Sequence, residues 1–224
     1  MHHSRSALGE PRPLKALLHE HAVLEQLRAL PPDEVAKTGQ PKTSGPNGAS
    51  MTHSRPAFNA AWAASMRIYD AADPSGNVAT IVGGKVAQNI NRPGGWENTC
   101  AVRMSYILNQ CGLHIPPLTH HTVRGADGSS YFFRVKDLIK FLKQEWGDPD
   151  VVDQYPPSGG GALIGKKGVV LFEVAGWADA SGHATLWNGA LCYDHCYFNE
   201  PTANYTTKRA NFWALSSIGR ELFG

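Results

Sequence analysis

Cys100 is the residue best placed to act as a nucleophile. It stands in the run Trp96-Glu97-Asn98-Thr99-Cys100-Ala101-Val102-Arg103-Met104-Ser105-Tyr106. A helix that begins around Asn98 or Thr99 and runs to Gln110 puts this cysteine in the first turn. Backbone N–H groups there have no intrahelical acceptor, and the positive end of the helix dipole faces the sulfur. Both favour thiolate over thiol. The same N–H groups, that of Cys100 among them, supply part of an oxyanion hole, and Trp96, Asn98 and Thr99 fall at the substrate cleft beside it. A buried structural cysteine is the alternative, and this segment alone does not separate the two. Cys111 is the contrast. It lies roughly 16 Å further along the same helix at about 1.5 Å per residue, where the dipole opposes a thiolate, and it reads as core packing.

A nucleophilic cysteine needs a base. Residues 182–194 read Gly-His-Ala-Thr-Leu-Trp-Asn-Gly-Ala-Leu-Cys-Tyr-Asp. Asn188-Gly189 predicts a two-residue type I′ hairpin. In that register Trp187 faces Ala190, Leu186 faces Leu191, Thr185 faces Cys192 and His183 faces Asp194. Opposed side chains share a face about 5 Å apart, so the carboxylate can fix the imidazole tautomer and stabilise the imidazolium. An ordinary surface His–Asp pair is the alternative. Asp179 competes as the partner. His195 competes as the base but has the wrong parity for that face, and a one-residue slip would reverse the parity.

Cys192 and Cys196 bracket Asp194. In a straight strand they would stand roughly 13 Å apart. A disulfide therefore requires the chain to turn over residues 193–195. The ladder is expected to hold to about Leu191, with a bridged turn presenting Asp194 beyond it. Two unpaired thiols are the alternative.

Other candidate chemistry fails on spacing. Gly160 and Gly165-Lys166 imitate a phosphate-binding loop, but Lys167 replaces the Ser or Thr that would hold magnesium, and a strand follows rather than a helix. His2-His3, His120-His121 and the Cys192/His195/Cys196 group lack a second pair at metal-ligand spacing. No metal and no cofactor is expected.

The elements that must position these residues are legible in outline. Ser54 caps a helix with Pro56 in its first turn and Phe58, Ala61, Trp62, Ser65 and Tyr69 on one side. Residues 73–77 break it. The Cys100 helix ends at Gly112. A third helix spans 134–146, burying Val135, Leu138, Ile139, Leu142 and Trp146, with Gly147 as its stop. Residues 168–175, 183–187 and 190–194 read as strands. Helices first and antiparallel strands later predict an α+β fold. Residues 1–53 form an extension, with one amphipathic helix (Leu14, Leu17, Leu18, His21, Leu24, Leu27, Leu30) ended by Pro31-Pro32 and a linker over 38–50. Met51, directly after the linker, is an alternative start. Residues 54–224 form the main domain.

With 42% hydrophobic and 18% charged residues in 224, the chain can build a core and is not wholly disordered. A net charge of +2 is too mild for a nucleic-acid binder. No apolar run is long enough to cross a membrane. The start MHHSRSALGEPRPLK has no apolar stretch ahead of a cleavage site, so no Sec signal is expected.

Three stretches give the chain a family resemblance over residues 54–224: Gly83-Gly84-Lys85-Val86, Trp96 through Ser105, and Gly182-His183-Ala184-Thr185-Leu186-Trp187 with Cys192-Tyr193-Asp194-His195-Cys196. On these it resembles the fourth family of type VI secretion amidase effectors. The resemblance implies a papain-like fold of the NlpC type, with helices packed on an antiparallel sheet. It implies a triad of Cys100 as nucleophile, His183 as base and then acid, and Asp194 as orienter, with a Cys192–Cys196 disulfide. It implies cleavage of the γ-D-glutamyl–meso-diaminopimelate bond in peptidoglycan stem peptides, delivery by the type VI machinery into a rival cell's periplasm, and inhibition by a cognate immunity protein. Over residues 1–53 it implies nothing. The alternatives are a papain-like hydrolase of another amide bond, and a non-catalytic module binding peptidoglycan or a protein through Trp96, Trp177 and Trp187.

Overall fold

The computed structural model describes residues 54–178 and 180–217. The helix and linker expected in residues 1–53, His2-His3 and Asp179 lie outside the described residues. Helix α1 (Phe58–Ile68) buries Phe58, Ala61, Trp62 and Ser65, as its periodicity predicts, and Ile68 in place of the expected Tyr69, which is half-buried. It starts at Ala57, which makes no side-chain cap, and not at Ser54.

Residues 73–77, expected to break the chain, instead open a new helix. Asp73 accepts the Gly76 N–H at 2.9 Å, and Pro74 takes the first position of α2 (Pro74–Val82). Asp-Pro is both turn chemistry and N-cap chemistry, so composition alone could not choose. Gly83 and Gly84, at φ 63° and 57°, turn the chain into α3 (Gly84–Asn91). A Cβ on Gly84 would stand 2.6 Å from the Ala126 nitrogen, so the turn requires glycine.

Helix α4 (Cys100–Gln110) is central to the core of the described residues, with every residue from Cys100 to Asn109 buried. Its polar side chains are satisfied there. The Ser105 hydroxyl donates to the Ala101 carbonyl at 2.8 Å and accepts the Phe132 N–H at 3.0 Å. Asn109 donates to the Ser130 carbonyl and accepts the Ile115 N–H. Cys111 caps the helix, and Gly112 follows at φ 85°. A short antiparallel hairpin, β1 (Thr122–Arg124) and β2 (Ser130–Phe132), leads to α5 (Val135–Trp146), which Gly147 ends as expected.

The main sheet has the order β3-β6-β4-β5, all antiparallel: β3 (Val151–Gln154), β4 (Gly168–Ala175), β5 (Gly182–Trp187) and β6 (Thr206–Ala214). Alternation along β4 sends Val169 and Leu171 to the helices, and Val170, Phe172 and Val174 into a second cluster with Trp187, Phe198 and Phe212. Burial on both faces explains the continuous apolar run of β4. The fold is α+β with helices on an antiparallel sheet, as expected. The phosphate-loop imitation lies in a 3-10 segment (Ser158–Leu163) and the turn after it, ahead of a strand.

Residues 190–194 do not form a strand. The type I′ turn is absent because the Asn188 side chain accepts the N–H groups of Ala190 and Leu191, at 3.0 and 2.8 Å. The loop widens to four residues, and Trp187 pairs with Cys192 in an isolated bridge. The expected register is displaced by two. An even displacement keeps every side chain on its assigned face.

Candidate active site

Three elements converge on one buried group of polar side chains. Helix α4 starts at Cys100, so the sulfur sits in the first turn, ahead of the first intrahelical bond from the Arg103 N–H to the Thr99 carbonyl at 2.9 Å. Strand β5 carries His183, which is 5% exposed. The loop after β5 carries Asp194, on the same face as His183 and Thr185. The displaced register sets Asp194 opposite Thr185, whose hydroxyl donates to Asp194 Oδ1 at 2.6 Å. His183 lies two residues along that face, with Nε2 3.1 Å from Asp194 Oδ2. This contact is an ion pair, because the N–H direction misses the oxygen and Nε2 has no well-directed hydrogen bond.

The three sequence candidates are therefore neighbours. The Cys100 sulfur is 3.9 Å from the carbonyl oxygen of Gly182, the residue before His183. Gly182 is fixed by crowding, since a Cβ there would stand 2.3 Å from the Phe172 carbonyl oxygen. Cys192 and Cys196 are joined by a disulfide, their Cα atoms 5.4 Å apart, and the chain turns over Tyr193, Asp194 and His195 between them. His195 is exposed and its ring meets Tyr197 at 5.2 Å.

The electrostatics follow from burial and pairing. Burial pushes the Cys100 thiol up, but the charge and hydrogen bond of His183, and then Arg103, draw it below its ordinary value. Burial would lower His183, but attraction to Asp194 and then to Cys100 raises it to about 9. Burial would raise Asp194, yet His183, Arg103 and Thr185 hold it well below the usual carboxylate range. The Cys100 and His183 shifts both act toward a thiolate beside an imidazolium. Cys111 shows the opposite, its thiol raised by burial, against a small pull from Arg67, to about 11.

The residues assigned to the cleft take different places. Trp96 is half-buried and stacks on Phe133 at 5.2 Å. The exposed Asn98 accepts the Cys100 N–H at 3.2 Å through Oδ1. Thr99 is buried and accepts from Arg103 Nη1 at 3.0 Å, so its hydroxyl serves the interior. Sequence reasoning did not single out Arg103, which donates to Asp194 Oδ2 at 2.8 Å. The available signal was an arginine one turn after the cysteine in a helix otherwise fit for a core. His121 and His120 lie at another cluster, with Asp137 and Arg134. Among the described residues, no group of three or more His, Cys, Asp or Glu could hold a metal ion, and no helix is long and apolar enough to cross a membrane.

Residues 96–213, a little over half the chain, match the family model described as type VI secretion system amidase effector protein 4. The chain belongs to this family. The matched span begins at Trp96 and takes in all three converging side chains. The crystal structure of the effector Tae4 from Enterobacter cloacae is 40% identical and superposes with a TM-score of 0.64, covering 74% of this chain and 100% of that one. Tae4 from Salmonella typhimurium, solved in complex with the immunity protein Tai4 from Enterobacter cloacae, is 37% identical at the same TM-score of 0.64, covering 72% of this chain and 99% of its own. The Tae4-Tai4 complex from Enterobacter cloacae matches at 40% identity and TM-score 0.64 over the same shares, 72% and 99%. These likenesses make the fold papain-like. No curated protein sequence is significantly similar to this chain. As an amidase effector, the chain is a hydrolase of amide bonds.

Proposed function

We propose that this amidase is a cysteine hydrolase of peptidoglycan stem peptides. The observation that carries the reading is the burial of Cys100, His183 and Asp194 side by side, with the sulfur at a helix start and the imidazole between thiol and carboxylate. The Cys100 thiolate attacks the scissile carbonyl carbon. N–H groups of the first turn of α4 receive the oxyanion, which displaces Asn98 Oδ1 from the Cys100 N–H because a full charge is the stronger acceptor. The C–N bond breaks as the His183 imidazolium protonates the leaving amine. His183 then takes a proton from water, the hydroxide attacks the thioester, and Cys100 is released with a free carboxylate product. Asp194 holds the ring and its charge throughout.

The bond we assign is γ-D-glutamyl–meso-diaminopimelate, and the place of action is the periplasm of the target cell after type VI delivery. Solved complexes of related effectors with Tai4 support a cognate immunity protein as inhibitor. The catalytic unit in this reading is residues 54–224, with 1–53 serving delivery or adaptation. Mass spectrometry of sacculi digested by the native chain is expected to yield fragments ending at that bond. Cys100→Ala is expected to yield none above background. Undiminished cleavage by a folded Cys100→Ala chain would remove the thiol mechanism, and fragments of another mass would reassign the bond.

A further inference from the structure

We propose that Arg103 is the positioning residue of this site, clamping the Asp194 carboxylate so that the His183 ring is held toward Cys100. The inference rests on the roles just given to those three residues. Arg103 lies three residues after Cys100 on α4, on the same face of the helix. Every edge of its guanidinium is engaged: Nη2 donates to Asp194 Oδ2 at 2.8 Å, Nη1 to the Thr99 hydroxyl at 3.0 Å, and Nε to the Tyr193 hydroxyl at 3.3 Å. Its flat face lies 5.3 Å from the Tyr69 ring. The pair is sealed from water, with the Arg103 and Asp194 side chains 7% and 2% exposed.

His183 cannot do this holding itself. Its Nε2 reaches the same oxygen at 3.1 Å, with its N–H poorly aimed, whereas Arg103 is closer and well directed. Thr185 takes the other oxygen. Arg103 and Thr185 fix the carboxylate, and the imidazole is free to find it as the proton moves. A stability role alone would not call for this arrangement, because a buried ion pair is often no more stabilising than an apolar pair of the same volume. The ion pair keeps a charged carboxylate available to an imidazolium.

The charge of Arg103 has a separate, readable effect. The titratable groups around it are Cys100, His183, Asp194 and the tyrosines Tyr69, Tyr193 and Tyr197. Burial pushes Tyr193 far above its ordinary range and Tyr197 up to about 12. The Arg103 cation opposes protonation of Cys100 and Asp194 and lowers both. Its removal therefore moves the Cys100 limb of the activity–pH profile toward higher pH.

The test uses the full chain with Arg103→Lys, Arg103→Met and Thr99→Val. kcat and KM are read against pH on a stem peptide containing the γ-D-glutamyl–meso-diaminopimelate bond, and Cys100 alkylation by iodoacetamide is followed over the same range. Arg103→Met is expected to lower kcat by about a hundredfold or more with little change in KM, and to move the alkylation midpoint up by about one pH unit. Arg103→Lys keeps the charge but reaches one partner at a time. Its midpoint is expected to stay in place while kcat falls about tenfold. Thr99→Val, which frees one edge of the guanidinium, should cost about two- to fivefold in kcat. If melting curves show that the Met variant does not fold, the Lys and Val variants carry the test. Native kcat in both would overturn the proposal, as would a folded Met variant whose midpoint does not move. Failure of the underlying reading looks different: Cys100 of the native chain would alkylate no faster than Cys111.

Discussion

The opposite shifts of Cys100 and His183 set how stability responds to pH. His183 is raised from its ordinary 6.5 to about 9. Its contribution is present in full below about 6.5 and lost as pH rises through 9. Cys100 is lowered from its ordinary 9.0. Its contribution is present above 9 and lost as pH falls through the lowered value. The two act in opposite senses, because a proton lost from the thiol and one kept by the imidazole leave the folded pair holding as many protons as the unfolded thiol and imidazole. Native melting temperature is expected to vary less between pH 6.5 and 9 than that of the Cys100→Ala chain. Cys100→Ala leaves the His183 contribution unopposed, so its melting temperature should decline across that window. A flat curve for the variant would mean that the pair is not ionised. On the alkaline side, kcat/KM is expected to fall through a limb near pH 9 as His183 loses its proton. His183→Ala should be nearly as damaging as Cys100→Ala, and Asp194→Ala roughly one to two orders of magnitude milder, since groups acting as one unit are not additive.

At the scale of elements, the loop after β5 decides where the carboxylate stands. Residues 192–196 close a short ring through the disulfide, and Asp194 sits at its middle. A ring this small removes little chain entropy, about 2 kcal/mol. Its larger effect is on the position of Asp194. Cys192→Ser with Cys196→Ser, or the native chain under reductant, should lose about that much stability by denaturant titration and proportionally more cleavage activity. Cleavage unaffected by reduction would show that Arg103 and Thr185 suffice to hold the carboxylate. The hairpin also shows how a strong local signal is overruled. Asn-Gly predicts a two-residue turn, but the Asn188 side chain found two backbone N–H groups to accept and widened the loop. Because the displacement is even, the pairing of His183 with Asp194 that the tighter register suggested has a counterpart here, diagonal rather than direct.

At the scale of the whole molecule, the site is built where the central helix meets one edge strand, and the residues that form it all lie after Ser54. A chain beginning at Ser54 is expected to cleave sacculi within about twofold of the full chain, since it keeps Cys100, His183, Asp194 and the described core around them. A loss of cleavage that tracks a loss of melting temperature would instead make residues 1–53 part of the folded unit. Exported to the periplasm by an added signal, the truncated domain should lyse cells, and retained in the cytosol it should not.

The sequence by itself determined the elements whose signals are local. Cys100 at the start of a helix, the α5 stripe ended by Gly147, the two-faced apolar run of β4, and the α+β order of elements all follow from side-chain period and caps, which act within a few residues. It left β3, β6 and the β1–β2 hairpin unread: β1 and β2 are three residues each, β3 is an edge strand, and β6, inside the sheet, carries a mixed burial pattern that only its partners explain. It took Asp73-Pro74 for a break, since a turn and a helix start use the same residues. What only the tertiary structure decided is the register of the loop carrying Asp194 and the burial of Arg103 against it. The register turns on a local choice by the Asn188 side chain that the Asn-Gly signal does not reveal. The burial of Arg103 turns on a contact between segments far apart in sequence, where a charge is tolerable only because its partner arrives from another element.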